Sequence, residues 1–299
     1  MLTYTGQRNL YGTLTNDKSS ANLTNGDTFI NAETRRLVSK LSGGSLENTT
    51  TITTGTATAA YYIPNFVGKV RSATIATGNT TWPIKISPNR KHWEQLNETS
   101  YESDIPMWLY VLGSQIHFWP TPATKGNTIT FDYDKKHIAL SVADYTTGNI
   151  WTTTNGSAVV VGTATSWTAA MDGRYLQISK SNTVAANGDG DWYEISSVED
   201  TTHLTITRIY QGDTIASGSA SYAIGEVSVL PDGFQELPVY RATEIYYSGK
   251  DEKRSALFKN MADEMERQLI QDNGNKTDSV TVEETEQANE TNPNLYITA

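Results

Sequence analysis

Apolar residues recur at three- and four-residue steps in two stretches, and the longer is 231–272, PDGFQELPVYRATEIYYSGKDEKRSALFKNMADEMERQLIQD. Pro238 suits a first helical turn, where its missing amide costs nothing. Val239, Ala242, Ile245 and Tyr246 then fall on one face. Gly249 closes this helix and Asp251 caps the next, whose apolar side reads Leu257, Phe258, Met261, Ala262, Met265, Leu269 and Ile270, with Asn273-Gly274 as the stop. The second stretch predicts a helix from about Thr28 to Leu41, capped by Asp27 and closed by Gly43-Gly44. Its apolar face carries Phe29 or Ile30, then Leu37, Val38 and Leu41, while Arg35, Arg36 and Lys40 form the opposite flank. That flank is either a solvated face or a contact for an acidic partner.

Elsewhere the period is two. Between 48 and 142 the segments NTTTITT, ATAAYYIP, KVRSATIA, WPIKIS, MWLYVLG, SQIHFWPTP and NTITFDYDKK read as strands. The sixth and its predecessor form a hairpin at Gly113-Ser114. Ser87 and Pro88 open a short helical turn carrying His92, Trp93 and Leu96. Trp108, Tyr110, Ile116, Phe118, Ile129 and Phe131 are expected to fill one face of this sheet. Asp132 and Asp134 share a face two residues apart, a spacing that could serve acid/base work, but with no third polar group nearby in sequence they read as the wet side of an edge strand. A separate unit spans 147–226, with strands SAVVVG, RYLQIS, DWYEISSV, HLTITRIY and ASYAIG between turn residues, the pattern of a small sandwich or barrel.

The expected architecture is therefore α+β. A helical core, made of one N-terminal helix and a C-terminal helix pair, carries a β-sheet region, an inserted all-β domain and an extended C-terminal arm. The boundaries are 1–146, 147–226, 227–274 and 275–299, with 227–274 completing the first domain. An insertion is tolerated where its two ends lie close together. The arm is acidic and polar, yet ends in Leu295, Tyr296 and Ile297, an apolar alternating tip suited to adding to another subunit's sheet or groove.

Composition narrows the chemistry. The 299 residues include no cysteine, which excludes disulfides, thiol nucleophiles and cysteine metal sites. A net charge of −10 argues against a nucleic-acid binder but suits a surface that DNA must slide past. Nothing approaches the roughly 20 apolar residues of a membrane span, and the start MLTYTGQRNLYG has no basic segment leading into an apolar run. Synthesis in a cytoplasm and no membrane partner are expected.

No phosphate-cradling GxxxxGK[ST], GxSxG, HExxH or dinucleotide-binding glycine set occurs. His92, His117, His137 and His203 are scattered, with no pair at ligand spacing. Asn187-Gly188-Asp189-Gly190-Asp191 has the alternating oxygens of a calcium loop, but the sixth and twelfth places hold Trp192 and Val198, so it reads as a polar turn. Trp151, Trp167 and Trp192 are the candidates for a sugar-binding platform. No enzyme, metal or cofactor is expected.

The succession GDTFINAETRRLVSKL, AAYYIPNFVGKVRSATI, KHWEQLN, MWLYVLGSQIHFWPTP and LPDGFQELPVYRATEIYYSGKDEKRSALFKNMADEME resembles the head-to-tail adaptor proteins of tailed bacteriophages, over about 27–142 and 227–272. The inserted unit is similar to small β modules of phage structural proteins. The resemblance implies a virion neck protein made in the host bacterial cytoplasm, in a ring of twelve copies docked beneath the portal protein. It would line a channel through which viral DNA passes without sequence-specific binding and present a surface to tail or neck proteins. Arg35, Arg36, Lys250, Lys253, Arg254, Leu295, Tyr296 and Ile297 are the interface candidates. The alternative is a tail- or fibre-associated β-protein that binds host glycans.

Overall fold

The computed structural model describes residues 1–41, 44, 46–63, 66–98, 101–180, 187–216 and 218–281, with side chains through 274. In chain order the elements are α1 (Tyr4–Leu14), α2 (Ser20–Val38), β1 (Glu47–Thr53), β2 (Ala60–Tyr62), β3 (Val67–Thr77), β4 (Thr80–Ile86), α3 (Arg90–Leu96), β5 (Glu102–Ser103), β6 (Trp108–Leu112), β7 (Gln115–Trp119) and β8 (Thr121–Pro122). There follow β9 (Thr128–Lys135), β10 (Asn149–Thr153), β11 (Val159–Thr163), β12 (Tyr175–Ile178), β13 (Trp192–Val198), β14 (His203–Ile206), β15 (Tyr222–Gly225), α4 (Leu237–Tyr247) and α5 (Glu252–Thr281).

The expectation of an α+β protein built on a helical core is overturned. Among the described residues fifteen strands form sheets of seven, six and two, and five α-helices accompany them. Most of the buried apolar side chains belong to the sheets: the six-stranded one encloses a cluster from Ile150 to Ile224 and the seven-stranded one a cluster from Ala73 to Phe131, while Tyr11, Ile30, Val239 and Ala242 are buried between helices. The stop expected at Asn273-Gly274 is passed, because α5 runs through it to Thr281. One glycine in a long helix costs only about 1 kcal/mol, too little to end it.

The chain divides into two compact units, one of Met1–Thr34 with Ala139–Glu266, the other of Arg35–Ile138 with the chain from Arg267 onward. In the first unit the six strands run β10-β11-β14-β13-β12-β15, each antiparallel to its neighbour. Ile150 bridges Ala220 and Thr153 bridges Ile215, so the segment leading into β15 joins the far edge at β10 and the sheet closes on itself as a small barrel. Closure removes the open edges that would otherwise recruit other strands. Trp167 lies inside, its Nε1 donating to the Tyr222 hydroxyl at 2.9 Å, which donates in turn to the Thr147 carbonyl at 2.6 Å.

The helices of this unit meet around Tyr11, which is 1% exposed. Its ring stands edge-on to Tyr246 of α4, and its hydroxyl donates to Asn22 of α2 at 3.1 Å. Gly26 lets α2 come this close, because an added Cβ there would sit within the Tyr11 ring. The first turns of α2 therefore precede the start expected at Thr28. Ser19 accepts from the amides of Leu23 and Asn22, at its carbonyl (3.0 Å) and hydroxyl (3.4 Å), while Asp27 lies mid-helix, 3.2 Å from Arg8. At the other helix start the expectation holds: Asp251 accepts from the amides of Lys253 and Arg254, each at 3.1 Å.

In the second unit the seven strands run β1-β9-β3-β4-β6-β7-β2, antiparallel except for β4 beside β6. The hairpin at Gly113-Ser114 pairs Leu109 with Phe118 and Val111 with Ile116, placing Trp108 and Tyr110 opposite Trp119 and His117. Residues facing each other across an antiparallel pair share a side. Trp108 and Tyr110 therefore leave the core face assigned to them, and Leu109 joins Ile116, Phe118, Ile129 and Phe131 there. On the other side Trp93 of α3 stacks on Tyr110 at 5.7 Å, and His92 meets Trp108 at 4.6 Å. The cap of α3 is Asn89, which accepts from the His92 amide at 2.9 Å. Ser87 instead touches the His92 Nδ1 at 2.9 Å.

Candidate partner interface

The helical turn between α4 and α5 brings together two of the predicted contact residues, Lys250 and Arg254. The Lys250 ammonium lies 3.5 Å from the centre of the Tyr246 ring. Arg254 crosses the Tyr247 ring at 5.4 Å, donates to its hydroxyl at 3.0 Å and pairs with Asp251 at 3.5 Å. Cation–π contacts of this kind contribute about 0.5–1 kcal/mol at exposed sites. They hold the two cations at the surface in fixed directions. Tyr247 in turn donates to the Leu14 carbonyl at 3.1 Å, which fastens this turn to the end of α1. Lys253 is exposed beside them on the first turn of α5.

Arg35 and Arg36 lie in the other compact unit, in the last turn of α2, where positive charge complements the helix dipole. Arg35 is exposed. Burial, followed by repulsion from Arg35, lowers the pKa of His137 from 6.5 to about 4, so that imidazole is neutral at physiological pH. Leu295, Tyr296 and Ile297 lie outside the described residues.

An ionic cluster that sequence reasoning missed fixes the geometry of this face. Arg241 of α4 donates to Glu244 at 3.0 Å and, across to α5, to Asp263 at 2.5 Å and Glu266 at 2.8 Å. Burial works against its charge, but hydrogen bonds to Glu266, Asp263 and Glu244 outweigh it and hold the proton more tightly than in a free arginine. Glu244 lies three residues from Arg241, but no local pattern announces the other two partners, which are 22 and 25 residues further on. Only the helix hairpin brings them together.

The apolar face expected for α5 is narrower than its composition suggests. Phe258, Ala262 and Leu269 are buried, whereas Leu257, Met261 and Ile270 are 56%, 38% and 47% exposed. On α4, Ile245 is likewise 41% exposed.

The carboxylates considered for chemistry have structural partners. β9 lies between β1 and β3 and is not an edge strand. Asp134 is buried in a two-pronged pair with Arg71, at 2.6 and 2.8 Å, and Asp132 accepts from Thr49 and Ser72. The Asp189 carboxylate takes the Asp191 amide at 3.0 Å and the Tyr193 hydroxyl, completing a tight turn. Among the described residues no group of three or more His, Asp or Glu could hold a metal ion. Of the three platform tryptophans, Trp167 is core, Trp192 is half-buried, and Trp151 is 47% exposed at a bulge in β10. Among the described residues no helix is long and apolar enough to cross a membrane.

Residues 3–177, more than half of the chain, match the family profile described as SU10 adaptor protein. The chain belongs to the SU10 adaptor protein family. No curated protein matches it. The matched segment takes in α1, α2, the whole seven-stranded sheet and the barrel through most of β12. Membership supports a phage adaptor role, and with it a virion component that associates with portal and tail proteins in general.

Proposed function

We propose that this SU10 adaptor is a ring-forming subunit of the phage neck, docked beneath the portal, twelve copies to a ring, lining the channel for DNA and carrying tail components. The family match over 3–177 is the observation that carries the reading. The net charge of −10 supports it, because an acidic bore repels DNA phosphates and lets the duplex pass without sticking. Lys250, Lys253 and Arg254 make one contact site for an acidic partner surface, and Arg35 with Arg36 another. Leu295, Tyr296 and Ile297 supply an apolar anchor. The role needs no catalysis, which fits the engagement of Asp132 and Asp134 by Thr49, Ser72 and Arg71.

Electron microscopy of the purified full chain, alone and mixed with its phage's portal, tests the proposal. Rings with a central hole, stacked coaxially on the portal, are the expected result. A chain that stays monomeric and leaves portal particles undecorated refutes it.

A further inference from the structure

We propose that the open edge at β1 is completed by residues 291–299 of a second copy of this chain, added there as a further strand. The inference rests on the adaptor reading and names the partner of the C-terminal tip.

β1 is the terminal strand of the seven-stranded sheet and pairs with β9 over seven consecutive positions, Glu47 with Asp134 through Thr53 with Thr128. The Lys135 amide donates to the Leu46 carbonyl and the Thr54 amide to the Asn127 carbonyl. This phase aims the backbone groups of Asn48, Thr50 and Ile52 at β9 and those of Glu47, Thr49, Thr51 and Thr53 away from it. Edge strands are commonly protected by lysine, proline or a bulge. β1 has none of these, and Glu47 is its only charged residue.

The inner face beside this edge is apolar. Thr50 and Ile52 of β1 line a depression with Ile63, which follows the opposite edge strand β2, and with Ile116 of β7. Among the described residues the outer sides of β1 and β2 have no strand partner, and both flank this opening. Its space is about 10 Å³, room for a single water, so an arriving strand covers the opening rather than fills it.

The occupant is argued from the chain itself. Residues 282–290 carry four glutamates, whereas 291–299, TNPNLYITA, carry no charged side chain and match the neutral run from Asn48 to Thr53. Leu295 and Ile297 are two apart and would share the inner side of a strand, with Tyr296 outward. The 18 residues after Thr281 span up to about 60 Å when extended, enough to reach a neighbouring subunit.

Because the chain has no cysteine, crosslinking gives a clean test. Full-length Thr51→Cys and full-length Tyr296→Cys are mixed and oxidised, with Lys69→Cys replacing Thr51→Cys as the control. A disulfide-linked pair of unlike chains, enriched about tenfold over the control, is expected. Thr51→Pro removes an outward amide without touching the β9 ladder, so it should weaken self-association about tenfold or more, as should deletion of 291–299. Equal crosslinking at Thr51 and Lys69 overturns the proposal. So does a deletion that leaves self-association intact and abolishes only portal binding, an outcome that preserves the adaptor reading. Absence of rings and of portal binding in the parent chain refutes the adaptor reading itself.

Discussion

Arg241→Met removes the guanidinium that joins α4 to α5 and keeps most of the apolar stem. Three contacts are lost, at 3.0, 2.5 and 2.8 Å to Glu244, Asp263 and Glu266. The Asp263 side chain is 51% exposed, so solvent screens its pair to well under about 1 kcal/mol. Glu244 and Glu266 are only 22% and 10% exposed, which places their loss nearer the range of about 3–5 kcal/mol for breaking a buried pair. Tyr240 stays stacked on Phe258 across the same helices, so the lower end, about 3 kcal/mol, is expected. Hydrogen-exchange mass spectrometry over 237–266, corrected for intrinsic rates, reads this locally. Adding Glu266→Gln to Arg241→Met removes the buried carboxylate left without its cation and should restore much of the protection. Protection of Arg241→Met within about 0.5 kcal/mol of the parent, or no recovery in the double variant, would refute the reasoning.

Gly26→Ala pushes a methyl into the Tyr11 ring and should destabilise the first unit by about 1–3 kcal/mol; an unchanged melting transition would show that α2 can shift at no cost. His137, with a folded pKa near 4 against 6.5 in the unfolded chain, contributes stability that is complete above about pH 6.5 and is lost as pH falls toward 4. The loss reaches about 3 kcal/mol at 1.36 kcal/mol per pH unit, so urea denaturation of His137→Gln should have a flatter slope between pH 7 and 4.5. A parallel slope in the two proteins counts against a neutral buried imidazole.

What was legible in the chain follows the strength of each local signal. The C-terminal helix pair was readable because Val239, Ala242, Phe258, Ala262 and Leu269 repeat at helical steps and are buried on that pattern. Thr-rich strands such as β1 alternate only weakly, yet the sheets hold most of the core. α1 escaped notice because its buried residues are Gln7, Tyr11 and Gly12, which make no apolar stripe. Its burial rests on close approach and hydrogen bonding, as when the Gln7 amide donates to the Gln235 carbonyl at 3.1 Å. The role of Gly26 is equally non-local, because it belongs to a tyrosine 15 positions earlier. The facing of Trp108 and Tyr110, by contrast, could have been derived. A two-residue turn at Gly113-Ser114 makes 112 oppose 115, and counting outward puts 108 and 110 with 119 and 117. The pairing of Asp134 with Arg71 could not, since it depends on the order of β9 and β3 in the sheet.

The candidate contact residues illustrate the difference between a charge in a sequence and a charge available to a partner. Lys250, Lys253 and Arg254 look equivalent as letters, but Lys250 already rests on Tyr246, and Arg254 on Tyr247 and Asp251. Moving either toward a partner first undoes an internal contact, so a docked surface gains from it only the difference between the two interactions. Lys253 and Arg35 are exposed and enter such a contact with less to give up. The fastening also has a benefit. A side chain held on a ring loses less rotational freedom when it docks, and burial of a long cation otherwise costs up to about 2 kcal/mol in entropy. A turn whose cations rest on tyrosines, and whose helices are clamped by Arg241, would present one shape to each neighbour in the proposed ring. Uniformity of that kind is what identical subunits need if each is to make the same contact.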